Sequence, residues 1–153
     1  MKPKLLVSAC LLGTPCRYDG KSKKNEAVCA LAERFELIPV CPEVLGGLPT
    51  PRTPSERRGA CVVRKDGRDV TAEYRCGAEC ALETARREGV LAAVLKERSP
   101  SCGSGEIYDG TFTGALTAGD GVTAELLKAN GITVYGEGEQ SLTEFLCSVS
   151  HST

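Results

Sequence analysis

Histidine is nearly missing from this chain of 153 residues: its one copy, His151, stands in the terminal "SHST". A frayed tail is the expected home for such a residue. Imidazole is thereby struck from the ligands and general bases on offer, and any metal site must lean on cysteine. Long apolar runs are missing too. None approaches the roughly 20 residues of a membrane-spanning helix. The opening "MKPKLLVSACLLG" gives way at once to the charged "CRYDGKSKK". A secretory signal would carry a longer apolar core and a small-residue cleavage site, so the chain is read as cytoplasmic. Net charge is close to absent, at −1. That excludes a global field drawing the chain to anionic lipid or to duplex nucleic acid. There is no G-x-x-x-x-G-K-[ST] phosphate loop, and no internal repeat.

Cysteine, by contrast, is abundant, with nine copies. An odd number cannot all pair, and a reducing cytosol disfavours disulfides in any case. Some of these thiols are therefore expected to bind metal or do chemistry, and others to serve as small core residues. With 41% hydrophobic and 25% charged residues, residues 1–153 are read as a single globular domain, frayed from about residue 149.

Strand and helix patterns alternate along the chain. "LLVSA" is a short strand. "NEAVCALAERF" has helical spacing, with Val28, Leu31 and Ala32 on one face and Asn25 as N-cap. "ELIPVCP" is the next strand. "EVLGGLPTPRTPSERRG" is long and irregular, a kind of loop that is functional or disordered. In "ACVVRKDGRDV" the Asp66-Gly67 pair signals a hairpin. Thr71 opens a helix that runs to about Glu88 and is closed by Gly89. "VLAAVL" reads as a strand buried on both faces. "VTAELLKAN" is a helix closed by Gly131, "ITVY" a strand, and "SLTE" at residues 141–144 a capping box for a last helix. The alternation predicts an α/β fold: a three-layer, Rossmann-like domain with a mostly parallel sheet of right-handed βαβ units.

Ligands of such sheets bind beyond the carboxyl ends of the strands. Cys10 ends the first strand and Cys41 the second. Cys102 lies just beyond "VLAAVL", in the loop "SPSCGSG", an open setting for a thiol. Three thiols from distant parts of the chain thus fall at one sheet edge. Thiolates suit zinc, copper(I) or an iron–sulfur cluster. These three lack the local C-x₂₋₄-C pairs of structural zinc sites. They suit either a cluster with one open iron or a catalytic zinc. The plain alternative is three unrelated strand-end residues. Cys16, near Cys10, is a possible fourth ligand. Cys76 and Cys80 share a helix face with Glu83 and Arg87, opposite Tyr74, Ala78, Ala81 and Ala85, and read as incidental thiols. Cys29, Cys61 and Cys147 sit in apolar settings and read as core.

Polar groups near these strand ends suggest a substrate. "SPSCGSG" offers the Ser99, Ser101 and Ser104 hydroxyls. Its glycines, Gly103 among them, allow backbone N–H groups to turn inward as an anion nest. Arg17, Arg52 and Ser55 are further candidates for binding a phosphate. Arg57 and Arg58 read better as a solvated basic loop. Glu43, two residues after Cys41 in "CPE", is either a general acid or base beside a metal centre or a loop anchor bonding backbone N–H groups. The "YDG" tripeptides at residues 18–20 and 108–110 read as turns.

Three segments, "VSACLLGTPCRYDG", "PVCPEVLGGLPTPRTPSE" and "KERSPSCGSGEIYDGTFTG", together resemble a small bacterial and archaeal family that includes the thiouracil desulfidases. They span residues 7–114 in the family's order. The resemblance implies a compact α/β domain carrying a [4Fe–4S] cluster on three cysteines, matched here by Cys10, Cys41 and Cys102. The fourth iron is left open to take the sulfur of a thiocarbonyl. In relatives the position of Cys16 is often not cysteine, which weakens it as a ligand. The resemblance also implies catalytic roles for Glu43 and Ser101. The implied reaction replaces the sulfur of a small thiopyrimidine, such as 2-thiouracil, 4-thiouracil or 4-thiouridine monophosphate, by water oxygen. The oxo-pyrimidine and sulfide leave without net redox change. Arg17, Arg52, Ser55, Ser99, Gly103 and Ser104 are then the expected substrate-binding residues. The rival readings are a non-catalytic iron–sulfur carrier with Cys16 as fourth ligand, and a structural zinc domain.

Overall fold

The computed structural model describes residues 2–150. The sheet is four parallel strands in the order β2-β1-β5-β8: β1 (Lys4–Ser8), β2 (Glu36–Val40), β5 (Ala92–Val94) and β8 (Val134–Tyr135). Two small antiparallel hairpins stand apart from it, β3 (Ser55–Arg58) with β4 (Cys61–Arg64), and β6 (Glu106–Tyr108) with β7 (Leu116–Ala118). The helices are α1 (Glu26–Cys29), α2 (Pro42–Leu45), α3 (Thr71–Glu88), α4 (Val122–Ala129) and α5 (Glu139–Ser150).

Strand alternation builds three layers. Leu5, Val7, Ala92 and Val94 point to one face and pack with Val28, Leu31, Leu142 and Phe145 of the α1 and α5 side. Leu6, Ala93 and Leu95 point to the other and pack with Leu82 and Ala85 of α3 and Ala124 and Leu127 of α4. Burying each of the larger side chains contributes about 1.5–3 kcal/mol. The three-layer α/β reading is therefore the observed architecture. Because β1 has β2 on one side and β5 on the other, the chain reverses its direction of winding there. A crevice opens at the carboxyl ends of these strands.

Several local expectations need correction. Ala32 is exposed, and Phe35 takes its place in the core, because the helix tightens into a 3₁₀ turn at Ala30–Glu33. Asn25 does cap α1, its side chain accepting from Val28 N. The irregular segment contains β3 and, at its start, most of α2. The main hairpin turns at Gly59 and Ala60, while Asp66-Gly67 adds a second tight turn closed by a single Val63–Asp69 bridge. "SLTE" is no capping box: α5 is already under way at Glu139, and the Ser141 hydroxyl accepts from Gly136 N. Residues 149 and 150 belong to α5, and His151 lies outside the described residues.

Cys61 and Cys147 are exposed and Cys29 is half-buried, so none is a buried core thiol. In β4 the inward position belongs to Val62. In α5 the stripe runs through Leu142, Phe145, Leu146 and Val149, which leaves Cys147 off it. Arg57 and Arg58 lie in strand β3 rather than in a loop, Arg57 half-buried and Arg58 exposed. Arg57 donates to Asp120 O at 2.7 Å and to Glu125 Oε2 at 2.9 Å, and Arg58 donates to Gly110 O at 2.7 Å.

Candidate active site

The strand ends place the thiols. Cys10 lies in the 3₁₀ turn Ala9–Leu12 that follows β1. Cys41 is the extended N-cap residue of α2, directly after β2. Cys102 follows β5 in a loop wound about Ser99, whose hydroxyl accepts from both Ser101 N and Cys102 N at 3.1 Å. Ser8 ties the two central strand ends together by accepting from Lys96 N at 2.9 Å. These three cysteines and Cys16 line one cavity of about 590 Å³ at the sheet edge. Cys102, expected in an open loop, is buried at 5% exposure, since the loop folds back over the α4 N-terminus.

The thiols influence one another. Cys16 lies within hydrogen-bonding reach of the Cys10 and Cys41 side chains, and the first of these contacts raises its pKa. Cys41 is raised well above the thiol range, first by its contact with Cys16 and then by burial. Burial pushes Cys102 up to about 12. All nine cysteines are free. Among the described residues no three Cys, His, Asp or Glu side chains converge tightly enough to grip a single ion. Four soft donors round one cavity suit a larger thiolate-bound group.

Glu43 projects from the first turn of α2 into the same cavity. Its two oxygens have different partners. Oε1 accepts a short hydrogen bond from the Tyr74 hydroxyl of α3. Oε2 accepts from Arg52 Nη2 at 2.9 Å, an ion pair whose side chains are 5% and 19% exposed. Burial works to lower the Arg52 pKa, but the Glu43 carboxylate outweighs it and the guanidinium ends above its ordinary value. Burial, then the Glu43 charge, pushes the Tyr74 phenol far above its usual range. The α2–α3 contact depends on two glycines. A Cβ on Gly46 would overlap the Glu73 carbonyl, and one on Gly77 would overlap the Pro42 carbonyl.

Of the expected substrate-binding residues, Arg17, Ser55 and Ser99 line the cavity, while Arg52, Gly103 and Ser104 do not. Arg52 is committed elsewhere: it also donates to Cys16 O, Pro49 O and the Thr50 hydroxyl. Gly103 is needed for packing, because a Cβ there would stand 2.8 Å from Ser99 O and from Ile107. The anion nest does not form. Ser101 N and Cys102 N go to the Ser99 hydroxyl, Gly103 N to Ser99 O, and Gly105 N to Asp120 Oδ1. Ser101, 1% exposed, is not a lining residue; its hydroxyl meets that of Thr123 at 2.8 Å and lies within reach of the Cys102 sulfur.

Sequence reading missed Tyr74, Lys96 and Phe112 as cavity residues. Tyr74 looked like part of a buried helix stripe, which it also is. Nothing in its neighbourhood marks the bond to a residue 31 positions away.

Three comparisons bear on this site. A family model described as 2-thiouracil desulfurase matches residues 5–139. The chain is 44% identical to "Uncharacterized protein YbbK" of Bacillus subtilis (strain 168), over 88% of this chain and 96% of that protein. It superposes with a TM-score of 0.90 and 50% identity on a solved structure described as the [4Fe-4S]-dependent thiouracil desulfidase TudS, covering 97% of this chain and 99% of that one. The matched span contains the cavity's four thiols, Glu43 and Tyr74, and on this evidence the chain belongs to the 2-thiouracil desulfurase family.

Proposed function

We propose that this chain is a [4Fe–4S]-dependent desulfidase of thiopyrimidines, converting a C=S group and water into C=O and sulfide. The observation that carries this reading is the meeting of Cys10, Cys41 and Cys102 with Glu43 in one cavity at the strand ends. Cys10, Cys41 and Cys102 would hold the cluster, and the thiol donor set fits it. When bound, the cluster supplies a Lewis-acidic iron that binds and polarises the thiocarbonyl sulfur. Glu43 takes a proton from the attacking water and returns it to the sulfur. The adduct's remaining hydroxyl proton follows by the same carboxylate as C=O forms, so both water protons leave with the sulfur as hydrogen sulfide and no electron is gained or lost. Tyr74 and Arg52 aim the carboxylate by holding one oxygen each. Ser101 orients the Cys102 sulfur. Arg17 and Ser55, with Ser99, face the substrate from the cavity wall. The substrate is a free base or nucleotide and the reaction is cytoplasmic, returning oxo-pyrimidines to nucleotide salvage.

The test is to reconstitute the protein without air and assay sulfide release from 2-thiouracil, 4-thiouracil and 4-thiouridine monophosphate. Release equal to the oxo-pyrimidine formed is expected, and none from any thiopyrimidine would refute the assignment. Glu43→Gln should keep the brown colour and lose on the order of 10²–10⁴ in rate. Cys10→Ser, Cys41→Ser and Cys102→Ser should lose the colour. A second reading, an electron carrier with four protein ligands, draws on the position of Cys16 beside Cys10 and Cys41. It requires Cys16→Ser to lose the cluster; the desulfidase reading requires that variant to keep it.

A further inference from the structure

The chain has seven aromatic rings, none of them tryptophan. Phe35, Tyr135 and Phe145 pack together in the core, Phe145 lying 5.3 and 5.2 Å from the other two centroids. The other four, Tyr18, Tyr74, Tyr108 and Phe112, all line the cavity. More aromatics thus surround this cavity than build the core cluster. Three of the four have simple accounts. Tyr74 holds Glu43. Tyr18 is 43% exposed beside Arg17. Tyr108 sits in the regular strand β6.

Phe112 is different. Its φ is +59°, a left-handed conformation that a bulky residue adopts only when its surroundings over-determine it. Those surroundings belong to another hairpin. Glu56 Oε1 accepts from both Gly110 N and Phe112 N, at 2.9 and 3.1 Å. Arg58 Nε donates to Gly110 O at 2.7 Å, and its guanidinium lies 6.0 Å over the Phe112 ring. Glu56 and Arg58 are two apart on β3, so both leave the strand on the same side. The turn is therefore gripped from outside at its backbone and at its ring. The grip fixes Phe112, a half-buried residue, at the cavity wall.

We propose that Phe112 is a specificity-determining residue, its ring stacking on the flat heteroaromatic ring of the substrate, with Glu56 and Arg58 as positioning residues. This rests on the desulfidase reading for the reaction, but it concerns only how the ring is recognised. Stacking depends on planarity and a π face, so it favours pyrimidines over puckered analogues carrying the same polar groups.

The test uses the cluster-loaded protein and ligands that cannot react. Calorimetry should show uracil binding more tightly than 5,6-dihydrouracil, by roughly tenfold. Phe112→Leu, which keeps apolar bulk, and Phe112→Gly, which releases the strain, should each erase that preference, and Phe112→Tyr should restore it. Glu56→Ala should weaken uracil binding in the same direction, without adding to Phe112→Gly. In turnover the Leu variant should raise KM and leave kcat within about twofold. Unchanged uracil preference in Phe112→Leu overturns the proposal, as does a parent protein that binds no uracil. A parent that binds uracil with this preference but releases no sulfide from any thiopyrimidine would overturn the desulfidase reading alone.

Discussion

At the residue scale, Glu43 is held by side chains from two other parts of the chain, each taking one carboxylate oxygen. Tyr74→Phe keeps the buried ring and removes the donor to Oε1. It should cost about 1–3 kcal/mol in urea unfolding, because a part-buried carboxylate loses a partner. Combined with Arg52→Met it should cost less than the sum of the two, since both act on one carboxylate; strict additivity would show that they do not. A second carboxylate governs the loop that carries Cys102. Asp120 Oδ1 accepts from Gly105 N at 2.8 Å and from Lys128 Nζ at 2.9 Å. Burial works to raise its pKa, and these partners outweigh it, so the group ends below the ordinary value of 3.8. A depressed carboxyl stabilises the fold fully above its unfolded pKa and loses that contribution as pH falls through the folded one. The stability lead of the parent over Asp120→Asn should therefore be flat at neutral pH and shrink below about pH 4. A lead that grew on acidification would contradict this account.

At the scale of elements, the contact between α2 and α3 decides where Glu43 points. Alanine in place of a helix-interior glycine ordinarily stabilises by about 1 kcal/mol. Gly77→Ala should do the reverse, destabilising by about 1–3 kcal/mol in thermal melts, because the new methyl group meets the Pro42 carbonyl. It should also slow turnover by shifting Glu43 from Tyr74, with the cluster retained. A more stable, fully active variant would mean that the two helices part without consequence. The longest element was the easiest to read: α3 begins at Thr71 and ends at Glu88 before its left-handed C-cap Gly89, as that glycine and the small-residue stripe indicate. Short elements were harder. A four-residue α2 inside a proline- and glycine-rich segment carries too few residues to show a period. The Asp66-Gly67 signal is real turn chemistry, yet the longer hairpin turns at Gly59 and Ala60, because β3 pairs with β4 over four residues. The last helix starts earlier than "SLTE" suggests, since Ser141 bonds backwards to Gly136.

Across the whole molecule, the fold sorts nine similar thiols into different roles. Cys10, Cys16 and Cys102 are buried in the cavity wall, whereas Cys61, Cys76 and Cys147 are exposed. A small thiol reagent should modify the exposed three first. Cys102 should be slow in the native chain, both from burial and because a pKa raised to about 12 leaves little reactive thiolate at neutral pH. Peptide mapping after brief alkylation checks this, and early labelling of Cys102 would contradict it. Among the described residues no helix is long and apolar enough to cross a membrane, in keeping with the absence of long apolar runs. The sequence alone determined the alternation of strands and helices and the three-layer parallel architecture. It also determined that Cys10, Cys41 and Cys102 fall at one sheet edge, because each stands just beyond a readable strand and parallel strands all end on one side. Tertiary structure alone decided that Tyr74 and Arg52 take one oxygen each of Glu43. It likewise decided that Arg52 donates to Cys16 O, Pro49 O and the Thr50 hydroxyl as well as to Glu43, that the Ser101 hydroxyl meets that of Thr123, and that the Phe112 backbone is held by Glu56 of β3. Most of these contacts join residues far apart in the chain, through side-chain directions and close helix approaches that leave no period or spacing in the sequence.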